Sequence, residues 1–211
     1  MNRSICASIF AILVCLTLAP LARSQVVVKQ LPADIKSRTF DPKHPPSEMP
    51  KLAPNEAAVT ESRFACGVQI EVEITPADGG KATMKVTGVT TELKLSVVMW
   101  LPGNVSGKIR AHESGHRDIT LAFYKDGEEI AKKVAEKYIG KQVTVDGVEQ
   151  KDTRPVIQRL ANEYCGEYLG ETEVPAEKVQ QRYDDLTDHG RNHLSEKDAI
   201  KRAMEESAKA K

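Results

Sequence analysis

The chain has 211 residues, 40% of them hydrophobic, and its 30 Lys and Arg residues balance 30 Asp and Glu residues. This length is enough for one ordinary domain with a real hydrophobic core. The even charge argues against nucleic acid as the main partner, because nucleic-acid-binding proteins usually carry a basic face.

The first 24 residues have the three parts of a secretory signal peptide. Arg3 gives a positively charged N-terminal region, and residues 5–21 are almost all apolar or small. Ala22-Arg23-Ser24 then places small residues at the two positions that a signal peptidase recognises. A membrane anchor is the alternative, but the apolar stretch is short for a span of about 20 residues. We therefore expect cleavage before Gln25 and a periplasmic or secreted protein. We expect no membrane span, since no other long apolar run occurs.

The four cysteines divide between the predicted signal peptide and the exported part. Cys6 and Cys15 lie in the signal peptide, and Cys66 and Cys165 remain. An even pair in an oxidising compartment predicts one disulfide. It would close a loop of about 100 residues and stabilise the fold by about 2–4 kcal/mol. The alternative is two separate buried thiols.

Residues 25–60 contain six prolines, each of which fixes a backbone dihedral and removes a hydrogen-bond donor. We expect an irregular, Pro-rich lead-in there, which either tethers the domain or wraps along it. Its first residues, Gln25–Lys29 (QVVVK), could form an added edge strand.

Alternating apolar and polar residues predict three strands after the lead-in, at 64–74, 82–89 and 91–101. Their short links favour an antiparallel meander. Helical periodicity then predicts helices over about 107–124 and 128–139, one from 153, another over 175–187, and a charged C-terminal helix or tail over 196–211. Strands first and helices after make this an α+β protein.

The first predicted helix contains His112-Glu113-Ser114-Gly115-His116, an HExxH motif. A spacing of four puts both imidazoles on one helical face, where they can bind the same Zn²⁺ ion. Glu113 then lies beside the zinc-bound water, as the general base that passes a proton to the leaving amine. A glycine such as Gly115 destabilises a helix by about 1 kcal/mol relative to Ala. Its presence here would be explained by the close approach of a backbone, a substrate or a packed side chain.

A catalytic zinc ion usually has a third protein ligand. The metzincin continuation of the motif fails, because Ile119 and Ala122 stand where its Gly and third His belong. A glutamate on the next helix is one alternative: Glu136 lies twenty residues after His116, although a solvated face explains that charge equally well.

A second pair of histidines, His189 and His193, also has spacing four. His189 precedes Gly190, so it is either a third zinc ligand or a helix C-cap that favours the negative end of the helix dipole, and both roles are compatible. If His193 joined the others as a fourth ligand, the site would be structural, because structural zinc sites have no open position.

The stretch from Trp100 through the HExxH motif to Ile119, with the later segment Tyr183-Asp184-x-x-Thr187-x-His189-Gly190, resembles a bacterial family of secreted zinc-dependent proteases. That family is catalogued as a domain of unknown function and placed among the HExxH peptidases. The resemblance covers about residues 60–195 and implies a small zincin-like domain over 61–195. It implies that His112 and His116 are zinc ligands, that Glu113 is the base, and that His189 is the third ligand.

Other residues are candidates for supporting roles. Asp118 is placed to accept an N–H from a ligand ring, and Tyr183 to stabilise an oxyanion. His193 lies outside the family pattern and is a candidate to orient substrate or supply a proton. An edge strand within 83–101 would bind an extended peptide by strand addition.

These features together predict an exported zinc metallopeptidase that acts on a peptide or protein substrate. The alternative is a non-enzymatic exported binding module that retains a structural zinc site.

Overall fold

The computed structural model describes residues 25–54 and 56–209, so the predicted signal peptide lies outside the described residues. The predicted α+β class is confirmed. The strands are β1 (Gln25–Gln30), β2 (Asp34–Phe40), β3 (Val59–Ala77), β4 (Lys81–Pro102) and β5 (Gln142–Val145). The helices are α1 (Gly107–Lys125), α2 (Gly127–Tyr138), α3 (Gln150–Thr187) and α4 (Glu196–Lys209).

A long antiparallel hairpin of β3 and β4 replaces the expected three-strand meander. The second and third predicted strands are one continuous strand, β4. It continues through Thr90, where the break was predicted and where Thr90 pairs with Gln69. A β-bulge shifts the register between β3 and β4 at Glu71 and Val72. Gly88 lies opposite this point, where a Cβ atom would approach the Glu71 carboxylate to 2.6 Å. At the tip, Gly79 and Gly80 adopt positive φ angles, which a tight turn requires and glycine permits.

The central strand β4 pairs with β3 along one edge and with three short strands along the other. Along that second edge, β5 pairs antiparallel, and β1 and β2 pair parallel. The predicted edge strand Gln25–Lys29 is therefore confirmed as β1, and the expected irregular lead-in contributes a second strand, β2. The prediction that part of 83–101 is a free peptide-binding edge is wrong, because both edges of β4 are largely paired.

Helices α1, α2 and α3 pack against this sheet, and α4 packs on α1 and α3. Every second residue of a strand points to the same face, and Leu93, Leu95 and Val97 of β4 are buried against Tyr124 of α1 and Tyr168 of α3. This core fixes α1 and α3 relative to each other, and those two helices carry most of the site described below.

The predicted disulfide is confirmed, and it joins the sheet to the longest helix. Cys66 of β3 and Cys165 of α3 are bonded, with 5.6 Å between their Cα atoms. A disulfide is consistent with an extracellular location, since such bonds persist in oxidising compartments. Among the described residues, none of the helices combines the length and the apolar character that crossing a membrane demands.

Two of the predicted C-terminal helices are a single helix, α3, of 38 residues. Pro175 lies inside it and removes one backbone hydrogen bond. The helix continues because side chains on both sides of the proline are buried, including Tyr168, Ala176 and Val179. The charged C-terminal segment is also packed: Ala199 and Ala203 of α4 are fully buried.

Candidate metal centre

The HExxH motif lies in the middle of α1, as the sequence predicts. The hydroxyl oxygen of Ser106 accepts a hydrogen bond from the Ile109 N–H at 3.2 Å and caps the helix start. One turn later, the helix turns its motif face inward, so that His112, Glu113 and His116 are only 3%, 4% and 8% exposed.

Three ligand atoms meet at this face of α1. The Nε2 atoms of His112 and His116 lie 3.2 Å apart, and Asp184 Oδ1 lies 3.1 Å and 2.9 Å from them. Atoms bound at about 2.0–2.1 Å to a tetrahedral zinc ion lie about 3.3 Å from one another. The three groups therefore fit three corners of such a site, and this buried cluster could hold a metal ion.

The outer nitrogens of both imidazoles face acceptors. Nδ1 of His116 lies 3.2 Å from Gln180 Oε1, and Nδ1 of His112 lies 3.4 Å from Thr187 Oγ1. The Thr187 hydroxyl donates to the Tyr183 carbonyl oxygen at 2.7 Å, so its lone pair is free to accept from His112. Protons at both Nδ1 positions leave the Nε2 lone pairs directed at the cluster, which is the tautomer that a metal ligand needs.

Asp184 supplies the negative charge of the cluster. Burial alone would raise the pKa of this carboxyl, but when the imidazoles are protonated on Nε2 as well, their hydrogen bonds and positive charge outweigh burial and hold the pKa well below its usual range. Two lone-pair nitrogens and an ionised oxygen repel one another, and a proton or a cation between them relieves that repulsion.

Glu113 lies beside the ligand cluster without belonging to it. Its Oε2 accepts a hydrogen bond of 2.7 Å from the Thr60 hydroxyl at the start of β3. Burial raises the pKa of the Glu113 carboxyl, although the hydrogen bond from Thr60 and the nearby imidazoles act in the opposite direction. A buried carboxyl with a raised pKa can exchange a proton more readily near neutral pH.

A cavity of about 150 Å³ opens next to these groups. Its polar wall includes His112, Glu113, His116 and Asp184, and its apolar wall includes Val59 and Ile109. The cavity provides room for a small chemical group beside the candidate metal position.

His189 also lines the cavity, but it stands outside the mutually close group of three. Its Nδ1 lies 3.7 Å from Asp184 Oδ1 and 3.3 Å from Glu56 Oε1. The chain reaches this position through three residues with positive φ, Asp188, His189 and Gly190. Glycine is needed at 190, since a Cβ atom there would approach His112 Cβ to 2.8 Å.

The remaining candidate residues lie away from the cavity. Tyr183 is fully buried behind the imidazoles, with its hydroxyl on Glu196. Asp118 is exposed and accepts a 2.8 Å hydrogen bond from Arg117 Nε, so it orients no ligand ring. Glu136 on α2 and His193 after α3 are exposed, and neither belongs to the three-residue metal-binding group.

Sequence reasoning did not assign a role to Asp184, Gln180 or Thr60. The signal for two of them was present, because Gln180, Tyr183, Asp184 and Thr187 have the spacing i, i+3, i+4, i+7 that defines one face of a helix. A polar stripe of this kind, ending next to a His-Gly pair, marks the helix face that meets the HExxH helix. Thr60 carried no comparable signal.

No protein-family model matches this chain, and neither a curated protein nor a solved structure does.

Proposed function

We propose that this chain is an exported, zinc-dependent metallopeptidase of the HExxH type with a zincin-like active site. The observation that carries the proposal is the approach of His112, His116 and Asp184 to within 3.2 Å of one another, with Glu113 beside them. This arrangement of ligands and an acid next to a cavity has the parts that metal-assisted hydrolysis of a peptide bond needs.

We assign Asp184, rather than His189, as the third protein ligand. Its Oδ1 is within 3.1 Å of both Nε2 atoms, whereas His189 Nδ1 approaches only as far as 3.7 Å from that oxygen. Two imidazoles and one carboxylate are a donor set that Zn²⁺ accepts in catalytic sites. A zinc ion held there would polarise a peptide carbonyl and lower the pKa of water.

Glu113 is the general base in this proposal. Its carboxylate takes a proton from a water molecule in the cavity and delivers it to the amine that leaves. The hydrogen bond from Thr60 holds the carboxylate at the cavity wall, and the burial that raises its pKa favours proton transfer. His189 lines the same cavity, with its Nδ1 3.3 Å from Glu56 Oε1.

Export and a peptide or protein substrate are part of the proposal. Export is supported by the signal-peptide pattern of residues 1–24 and by the Cys66–Cys165 disulfide. A peptide substrate is supported by the HExxH motif and by the resemblance to the bacterial family of secreted zinc-dependent proteases.

A structural zinc site in a non-enzymatic module is the rival proposal. Such a site would have four protein ligands. The cluster among the described residues has three, and a cavity lies beside it, so the enzyme is better supported.

The decisive experiment compares Glu113→Gln with the wild type. We expect Glu113→Gln to retain one zinc ion per chain, measured by elemental analysis, because Glu113 is no ligand. Hydrolysis of a fluorogenic peptide library should fall by about 10²–10⁴-fold, because a positioned general base contributes that much.

Glu136→Gln is the matched control, since it makes the same chemical change at an exposed glutamate on α2. It should leave both zinc content and hydrolysis unchanged. Undiminished hydrolysis by Glu113→Gln would refute the assigned mechanism, and a wild type that binds zinc but hydrolyses no peptide would favour the rival.

A further inference from the structure

We propose that Glu196, the first residue of α4, is a positioning residue for the metal centre, and that it acts through the Tyr183 ring on His112. Docking of the C-terminal helix and binding of the metal ion are then coupled. This inference rests on the proposed metal site and adds an element to it that the HExxH motif does not include.

Tyr183 forms the wall behind both imidazoles. Its ring is stacked on His112, with 4.9 Å between centroids and 9° between planes, and it meets His116 edge-on at 5.1 Å and 89°. An aromatic ring in these two contacts restricts the rotation of both imidazoles. The position of Tyr183 therefore helps to set where the two Nε2 atoms point.

The sequence of α1 leaves space for this tyrosine. Gly115 lies between the two histidines, and a Cβ atom at that position would overlap the Tyr183 hydroxyl. The glycine inside the HExxH motif is thus explained by packing, at a cost of about 1 kcal/mol relative to Ala in a helix. The tyrosine hydroxyl occupies the gap that the missing side chain provides.

Glu196 fixes the Tyr183 hydroxyl from the other side. The hydroxyl donates a hydrogen bond to Glu196 Oε2, and the His112 carbonyl oxygen lies 3.3 Å away as a second, longer acceptor. Since Tyr183 is fully buried, loss of the Glu196 acceptor leaves its hydroxyl poorly satisfied and able to shift. Any shift of the ring moves the His112 imidazole that is stacked on it.

The rest of α4 holds Glu196 in place. Ala199 and Ala203 are buried against Ile119 of α1 and Val179 of α3. A metal ion that locks His112 and His116 therefore stabilises the docked position of α4. By linkage, a docked α4 raises metal affinity by the same factor.

The test measures the Zn²⁺ and Co²⁺ dissociation constants of the full chain by competition with a chelator. Glu196→Ala and Tyr183→Phe should each weaken metal binding by about tenfold, the lower end of what partners of metal ligands contribute. Glu196→Gln should restore most of the affinity, because an amide oxygen still accepts from the hydroxyl. The double variant Tyr183→Phe/Glu196→Ala should bind no more weakly than either single variant, because both remove the same interaction.

Glu206→Ala is the matched control. Glu206 also joins α4 to α3, through a 2.5 Å contact with Arg182 Nε, but it lies ten residues, or about 15 Å, further along α4 than Glu196. It should keep the wild-type metal affinity and the wild-type visible spectrum of the Co²⁺ form, whereas Glu196→Ala should change that spectrum. Thermal unfolding in the presence of a chelator identifies variants that fail to fold. If Glu196→Ala does not fold, the metal affinities of Tyr183→Phe and Glu196→Gln decide the result.

The outcomes separate this inference from the proposed function. Equal loss of affinity in Glu196→Ala and Glu206→Ala, or no loss in Glu196→Ala and Tyr183→Phe, would overturn the role of Glu196 and leave the metal site intact. A wild-type chain that binds neither ion would overturn the metal site itself, and this inference with it.

Discussion

Asp184 and His189 lie five residues apart, but only Asp184 belongs to the group of three close ligand atoms, whereas His189 Nδ1 lies 3.7 Å from Asp184 Oδ1. Replacing a ligand should weaken metal binding by at least about 100-fold, because even outer partners of ligands contribute about 10–100-fold. We therefore expect Asp184→Asn to raise the Zn²⁺ dissociation constant by that factor or more, and His189→Ala to raise it by no more than about tenfold. Chelator competition measures both values.

Asp185→Asn provides the control for this comparison. Asp185 is the next residue of α3, but it is exposed and lies 3.7 Å from Arg182. Its replacement should leave zinc binding unchanged. If His189→Ala abolished binding while Asp184→Asn did not, the third ligand would be His189 and the assignment made from the distances would be wrong.

For single residues, local sequence patterns were enough to predict the positions or pairings of some residues but not of others. The HExxH spacing predicted which face His112 and His116 share, because helical periodicity alone determines it. The pairing of Cys66 with Cys165 followed from their number and the expected compartment. Helical spacing also places Gln180, Asp184 and Thr187 on one face, but assigning Asp184 as a ligand requires the packing of α3 on α1, 68 residues earlier in the chain.

Among the secondary-structure elements, those determined by local sequence were predicted, and features that depend on tertiary contacts were not. Helix α1 was predicted close to its observed bounds, because its cap and periodicity are local. The parallel pairing of β1 and β2 with β4 was not, because it joins segments more than 60 residues apart. Pro175 predicted the start of a separate helix, but burial on both sides of it keeps α3 continuous.

The contact between α1 and α3 at Gly115 gives a prediction for the stability of these elements. In an exposed helix, Gly→Ala stabilises by about 1 kcal/mol. Gly115→Ala should instead lower the free energy of unfolding by about 1–3 kcal/mol, since the methyl group would overlap the Tyr183 hydroxyl and overpack the interface. Urea unfolding in the presence of a chelator measures the effect without a contribution from metal.

Gly170→Ala is the matched control in α3. Gly170 is exposed, and a Cβ atom there would meet nothing within 4 Å. This variant should be more stable than the wild type, by about 0.5–1 kcal/mol. A stabilised Gly115→Ala would show that Tyr183 does not occupy the space beside α1.

In the described part of the chain, four of the five strands of the sheet precede the α-helices in the sequence, β5 follows α2, and the disulfide joins the sheet to α3. Cys66 and Cys165 are 99 residues apart, so their bond restricts the unfolded chain over about half its length. Removing it should lower the free energy of unfolding by about 2–4 kcal/mol. We expect the double variant Cys66→Ala/Cys165→Ala to unfold at a lower urea concentration by a corresponding amount.

A reductant distinguishes loss of the bond from loss of packing. Wild-type protein in reductant should approach the stability of the double variant, and the double variant should not respond to reductant, since the chain from Gln25 onward contains no other cysteine. If wild-type stability did not change on reduction, the bond would contribute nothing. Helix α3 carries Asp184, Gln180 and Thr187 and is anchored to β3 at Cys165. We therefore expect reduction to lower the zinc affinity only if it also loosens α3 from the sheet.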